Sequence, residues 1–267
     1  MNENSDNEIN KTGKIPLIVV SVFVLLFAIY YAGLSISAPR SKINSINSEY
    51  GYKKPEKGGL NDSIFMDSAF VVLNRQKAFY QARIAMASSD SVALSVNLPD
   101  STASLEINGV TVYTTKILSS RMSKVFRKAD EYAVTMLFSK PFTIIKDYSS
   151  IPKEPVIFKV APKDTTEYKP DAPPDTSKIE YVNFILETRE GIRLYVYQST
   201  QGDFLASFHQ FLFDLYDRIR TSASIVKCMF KFKKPEYKPW IKIRVPIKDA
   251  RLIYRALPRN GQFAVSR

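Results

Sequence analysis

The chain has 267 residues, 45% apolar and 24% charged, with a formal net charge of +12. This is the makeup of one moderate or two small globular domains, not of a disordered or collagen-like chain. One cysteine and one histidine exclude an intramolecular disulfide framework, all-cysteine zinc sites and multi-histidine metal centres. Nine glycines, with neither G-x-G-x-x-G nor G-x-x-x-x-G-K-S/T among them, exclude the common phosphate loops, so no metal and no cofactor is expected.

After a polar tail (1–14), Ile15 to Leu34 runs twenty residues without a charge. As a helix this is about 30 Å long, the thickness of a bilayer core, and longer than the usual apolar region of a signal peptide. Pro39 directly after Ala38 also makes a poor cleavage site. The expectation is an uncleaved single-pass anchor, with Tyr30 and Tyr31 near one interface. Lys11 and Lys14 precede it and Arg40, Lys42, Lys53 and Lys54 follow, a weak lean toward a cytoplasmic body; large domains translocate largely regardless of charge, so charge alone leaves the side open.

Residues 35–60 read as a flexible polar spacer, and Asn61-Asp62-Ser63 as the cap of an accessory helix over 61–89. A domain from 90 to 267 follows. Val92, Leu94, Val96 and Leu98 alternate onto one face of a strand, and 103–117 reads as a hairpin turning at Asn108-Gly109. Residues 119–138 are expected as a short amphipathic helix followed by a strand. Six prolines between 151 and 178 predict a long loop around a short VIFKV strand (156–160). Segments 181–188 and 192–199 read as two strands around Glu190-Gly191. A helix over 203–220 carries Phe204, Leu205, Phe208, Phe211, Leu212, Leu215, Tyr216 and Ile219 at three- and four-residue spacing, a stripe expected to be core. IVKCMFKF (225–232) and WIKIRV (240–245) read as strands, 248–257 as a closing helix and 262–267 as a last strand. The fold class is thus α+β, strand-rich, behind a transmembrane helix and an accessory helix.

Two segments resemble the ends of an L,D-transpeptidase catalytic domain, the cysteine-dependent family that cross-links peptidoglycan. VNLPDSTASLEINGVTVYTTKI (96–117) resembles its first hairpin, and IRVPIKDARLIYRALPRNGQFAVSR (243–267) its tail. The resemblance implies that fold and an extracytoplasmic, periplasmic address. The family's nucleophile motif, Ser-His-Gly-Cys before the tail, is replaced here by Tyr237-Lys238-Pro239-Trp240-Ile241-Lys242, and Gly191-Ile192 is followed by Arg193 rather than His-Gly. The resemblance therefore argues for a degenerate, non-catalytic domain. His209 and Cys228, nineteen residues apart, are the weak candidates for a Cys–His acyl-transfer pair.

Charge supplies the other lead. Residues 227–267 hold seven lysines and five arginines against Glu236 and Asp249, a net of +10. Trp240, Lys242 and Arg244 share one face of their strand, and with Lys231, Lys233, Lys234 and Lys238 they form the expected basic face for an anionic partner. Peptidoglycan or another anionic envelope polymer is the leading partner, and binding or scaffolding in the envelope the leading function. Two alternatives stand beside it: a membrane-anchored subunit of an envelope or secretion complex, and an active cysteine acyltransferase using Cys228 and His209. Nucleic acid is not expected, since no recognition motif is present and the anchor removes freedom to search.

Overall fold

The computed structural model describes residues 14–52, 68–153, 180–200, 203–231 and 233–267. The first helix, α1 (Lys14–Tyr50), does not stop at the end of the apolar run. It carries Pro39 in its interior, with the loss of one backbone hydrogen bond, and continues through most of the segment expected to be flexible spacer. Packing explains the continuation. Ala38 and Ile46 are buried, Ile43 and Tyr50 lie against the main core, and Asn47 Oδ1 accepts from the Asp130 amide at 2.9 Å. The apolar stretch before it is long and apolar enough to cross a membrane, and none of it is buried against the rest of the chain.

Among the described residues, the domain is built on a mixed sheet of nine strands. Its strands are β1 (Ala93–Asn97), β2 (Thr102–Ile107), β3 (Val110–Lys116), β4 (Ser119–Met122), β5 (Phe142–Ser149), β6 (Asn183–Thr188), β7 (Arg193–Gln198), β8 (Trp240–Val245) and β9 (Gln262–Ser266). Their spatial order is β3-β2-β1-β9-β5-β6-β7-β8-β4, with β1 parallel to β9 and β7 parallel to β8. The hairpin forms where Asn108 and Gly109 both take positive φ, 51° and 79°, as a tight turn between right-twisted strands requires. Leu94 and Val96 enter the main core and Val92 and Leu98 pack partly against it, as the alternation predicts.

The helices are α2 (Ser68–Ala87), α3 (Val125–Lys128), α4 (Glu131–Phe138), α5 (Phe204–Phe230) and α6 (Ile247–Ala256). Between residues 119 and 138 the expected order is reversed: the strand comes first, because Ser119–Met122 pairs with the free edge of β8, and the helices follow, α4 capped by the Asp130 carboxylate on the Ala133 amide. Helix α2 buries Phe79, Ala82 and Met86 against Ala93 and Ala264. Residues 53–67 and 154–179, which contain the start of the accessory-helix segment, the end of the spacer and the VIFKV strand with most of the proline-rich loop, lie outside the described residues.

Helix α5 departs most from expectation. It runs to Phe230, so residues 225–230 are helix and not strand. Asp203 caps its start by accepting from the amides of Leu205 and Ala206. The chain then turns at Lys231 and reaches β8 past Pro235 and Pro239. The apolar stripe expected in the core is on the outside: Phe204 is 81% exposed, Tyr216 70%, and Leu205, Phe208, Phe211, Leu215 and Ile219 are exposed as well.

Candidate functional site

The alternation in β6, β7 and β8 sends two different surfaces to the two faces of the sheet. Phe184, Leu186, Leu194, Val196, Ile241, Ile243 and Val245 enter the main core. Ile185, Tyr195, Tyr197 and Trp240 line the opposite face, with Tyr148 and Phe213 packed against them. Glu187, Arg193, Lys242 and Arg244 stand on that same face, so it is aromatic and charged at once.

Helix α5 covers this face with its polar side. Gln210, Asp214, Asp217 and Thr221 recur at four-, three- and four-residue spacing and so share one side of the helix. Tyr195 donates to Asp217 Oδ2 at 2.8 Å and Tyr197 to Asp214 Oδ1 at 2.6 Å. Arg193 donates to Glu187 Oε2 at 3.1 Å and to Thr221 Oγ1 at 3.2 Å, and lies 3.5 Å from Asp217. Arg244 donates to Thr200 Oγ1 at 2.9 Å and to Gln210 Oε1 at 3.0 Å. Arg220 binds Asp217 at 2.8 Å and lies 3.5 Å from the centre of the Tyr148 ring.

These surroundings shift several groups. Burial raises the Tyr195 and Tyr197 phenols, and the carboxylates of Asp217 and Asp214 raise them further, so both are neutral donors at any ordinary pH. Burial lowers the Lys242 ammonium, against the pull of Asp214 and Asp217. At Glu187 burial works to raise the carboxyl, but the hydrogen bond from Lys238 and the charges of Arg193 and Lys238 outweigh it, and the carboxyl is held below its usual range.

The expected basic face is therefore divided. Lys242 donates to the Tyr197 hydroxyl at 3.1 Å and lies 4.7 Å from the Tyr195 ring centre, inside the layer under α5. Arg244 is bound to Gln210 and Thr200, Lys238 donates to Glu187, and Trp240 is packed against the aromatic cluster. These four hold the fold together. Lys231, Lys233 and Lys234 are exposed. The side-chain direction read from β8 is right, yet the face it defines is covered. Helical spacing of Gln210, Asp214, Asp217 and Thr221, complementary to the cations of β7 and β8, is the signal that reveals the cover; Glu187, Arg193, Tyr195 and Tyr197 are the partners that residue-by-residue reading missed.

The Cys–His candidates are not brought together. His209 and Cys228 lie on the same helix nineteen residues apart, about 28 Å along its axis. His209 is exposed and stacks on Tyr181 at 4.5 Å; Cys228 is half-buried. Among the described residues no cluster of three or more His, Cys, Asp or Glu side chains is arranged to hold a metal ion.

The fold defines a class, a strand-rich α+β domain carried on a long apolar N-terminal helix. No protein-family model matches the chain, and no curated protein matches it. Among solved structures it is similar to an L,D-transpeptidase from Mycobacterium smegmatis, with 12% identity and a TM-score of 0.25 over 66% of this chain. The match covers 59% of that structure's length.

Proposed function

We propose that this chain is a membrane-anchored, non-catalytic protein of the cell envelope, its domain on the extracytoplasmic side, that scaffolds a multi-protein complex by docking a partner protein on the outer face of α5. The observation that carries this reading is the orientation of that helix. Its polar side is bonded to the sheet, and its row of Phe204, Phe208, Phe211, Leu215 and Ile219 is left facing outward. Monomeric soluble proteins rarely leave so continuous an apolar strip uncovered. Arg218 and Lys227, exposed on the same helix, give the strip a basic rim, so the fitting partner is an apolar surface bordered by acidic side chains.

A photoreactive residue substituted at Phe208, Phe211 or Leu215 in the full chain tests this in cells. The same envelope protein captured from all three positions, and lost when Arg218→Glu is added, is the expected result. No captured protein from a folded chain overturns it.

The anionic-polymer reading retains the exposed Lys231, Lys233 and Lys234. Co-sedimentation of the full chain with peptidoglycan sacculi distinguishes the two: retention that survives high salt and vanishes when the three lysines become Gln moves the function to wall binding.

A further inference from the structure

Contacts with β7 and β8 hold α5 only as far as Thr221, which meets Arg193 at the first residue of β7. The remaining nine residues, Ser222 to Phe230, extend about 13 Å beyond the end of the sheet. They do not project into empty space. Met229 is buried, and the Phe230 ring lies 6.5 Å from that of Phe27, inside the apolar run of α1 and one turn before Tyr30 and Tyr31. Phe230 is itself 75% exposed beside a helix whose apolar stretch is also exposed.

Directly above this contact is a cavity of about 500 Å³ between α1 and the segment leaving α5. Arg40, Ser41 and Asn44 line it from α1 and Lys234 from the other side, and among the described residues no carboxylate is on its walls. Gly33 forms its lower edge, and a Cβ there would meet no atom within 4 Å. Two chemistries thus follow one another along α1. The Arg40 guanidinium, the Lys234 ammonium, the Ser37 and Ser41 hydroxyls and the Asn44 amide lie past the end of the apolar run, and the Phe27–Phe230 pair lies about 20 Å below Arg40 along the helix.

We infer that this cavity binds the phosphate headgroup of an anionic phospholipid, with Arg40 and Lys234 on the phosphate and the acyl chains running down over Phe27 and Phe230. The inference rests on α1 being a membrane anchor. Arginine supplies a planar fork for phosphate oxygens and lysine a point charge, while Ser41 and Asn44 donate to the remaining oxygens. Lys231 and Lys233, exposed on the same connecting segment, add positive charge beside the site. The end of α5 is then a second, shallow membrane contact, which fixes the domain against the bilayer.

The test uses the full chain purified in detergent, with phosphatidylglycerol or phosphatidylcholine added in equal amounts and retained lipid read by native mass spectrometry. The expected result is a preference for phosphatidylglycerol of about tenfold, a difference of about 1.4 kcal/mol. Arg40→Gln with Lys234→Gln abolishes the preference, and Gly33→Leu, which fills open space, reduces it without lowering the thermal midpoint. Wild-type retention by the double variant overturns the inference. Displacement of the lipid by millimolar inorganic phosphate, or by soluble peptidoglycan fragments, overturns it too, assigning the cavity to those ligands. Alkaline carbonate extraction of cell membranes separates the two readings. A chain released by carbonate refutes the anchor itself, whereas a chain that stays in the membrane but shows no lipid preference refutes only the headgroup site.

Discussion

The hydroxyl of Tyr197 on β7 donates to Asp214 on α5 at 2.6 Å while accepting from Lys242 on β8 at 3.1 Å. One phenol thus joins two parallel strands to the helix that covers them. It is the middle of a layer in which tyrosines meet aspartates and arginines meet carboxylates, in place of the aliphatic packing normally found between a helix and a sheet. Partly buried polar layers of this kind are costly to break because every orphaned group loses both its partner and water.

Tyr197→Phe removes both bonds of that hydroxyl and leaves Asp214 and Lys242 without it. The expected loss is about 1–3 kcal/mol, read from urea unfolding followed by circular dichroism. Tyr195→Phe, which takes a phenol from Asp217 and Arg193 but leaves the ion pair between those two in place, is expected to cost less.

Glu187 makes the fold acid-sensitive. Its carboxyl is held below the ordinary range because Lys238 and Arg193 outweigh the effect of burial. A depressed carboxyl contributes stability that is fully present above its unfolded value and is lost as pH falls through the folded one. Stability at pH 7 should therefore exceed that at about pH 3, and Glu187→Gln should shrink the difference while costing about 1–3 kcal/mol at neutral pH, because Lys238 loses its carboxylate and Arg193 keeps only Asp217. Urea titrations at both pH values check the sign and the size.

The outward stripe of α5 makes an opposite prediction. Phe204→Ser and Phe211→Ser remove side chains that are 81% and 61% exposed, so the thermal midpoint should move by no more than about 0.5 kcal/mol allows. Leu194→Ala, on a fully buried side chain of β7, should cost about 2–5 kcal/mol in the same assay. Equal destabilisation by the stripe variants would mean that the stripe is packed after all.

Gly109→Val tests the hairpin. Its φ of +79° strains any L side chain, and a Cβ there would lie 3.0 Å from the Ala87 Cβ at the end of α2. A loss of about 1–2 kcal/mol is expected from the backbone alone. Asn108→Gly, at φ 51°, should be close to neutral.

Much of this fold was legible before the structure. The Asn108-Gly109 turn, the alternation of β1 and β8 and the closing helix all appeared at the positions read, because each depends on a local pattern. Four features were not, and each failed where tertiary contacts decide, the first being residues 119–138, where the edge of β8 took the strand ahead of the helices. The spacer became helix because Ile46 and Asn47 found partners in α4 and the core. Residues 225–230 continue the helix, with Met229 buried and the Phe230 ring beside Phe27 of α1, whereas Ile225, Val226 and the apolar run around them alone suggest a strand. The 203–220 stripe was assigned to the core because apolar periodicity normally faces inward; the equally periodic Gln210, Asp214, Asp217 and Thr221 won instead, having charged and phenolic partners waiting on the sheet. Of the candidate site, the outward side of β8 was readable from the alternation. That α5 lies over it was not, since no single-strand pattern shows what stands above a strand.

The unbroken course of α1 has a further consequence. On the proposed reading the bilayer holds one half of α1, while Ile46 and Asn47 clamp the other half in the domain, and one continuous helix joins the two. The domain then has a set compass bearing about the membrane normal as well as a set height. Each residue of helix turns that bearing by about 100°, so one residue inserted near Leu34 would swing the α5 face well away from a partner embedded in the same membrane, while seven, close to two full turns, would bring it back. Binding in the envelope would depend on helical phase as much as on distance.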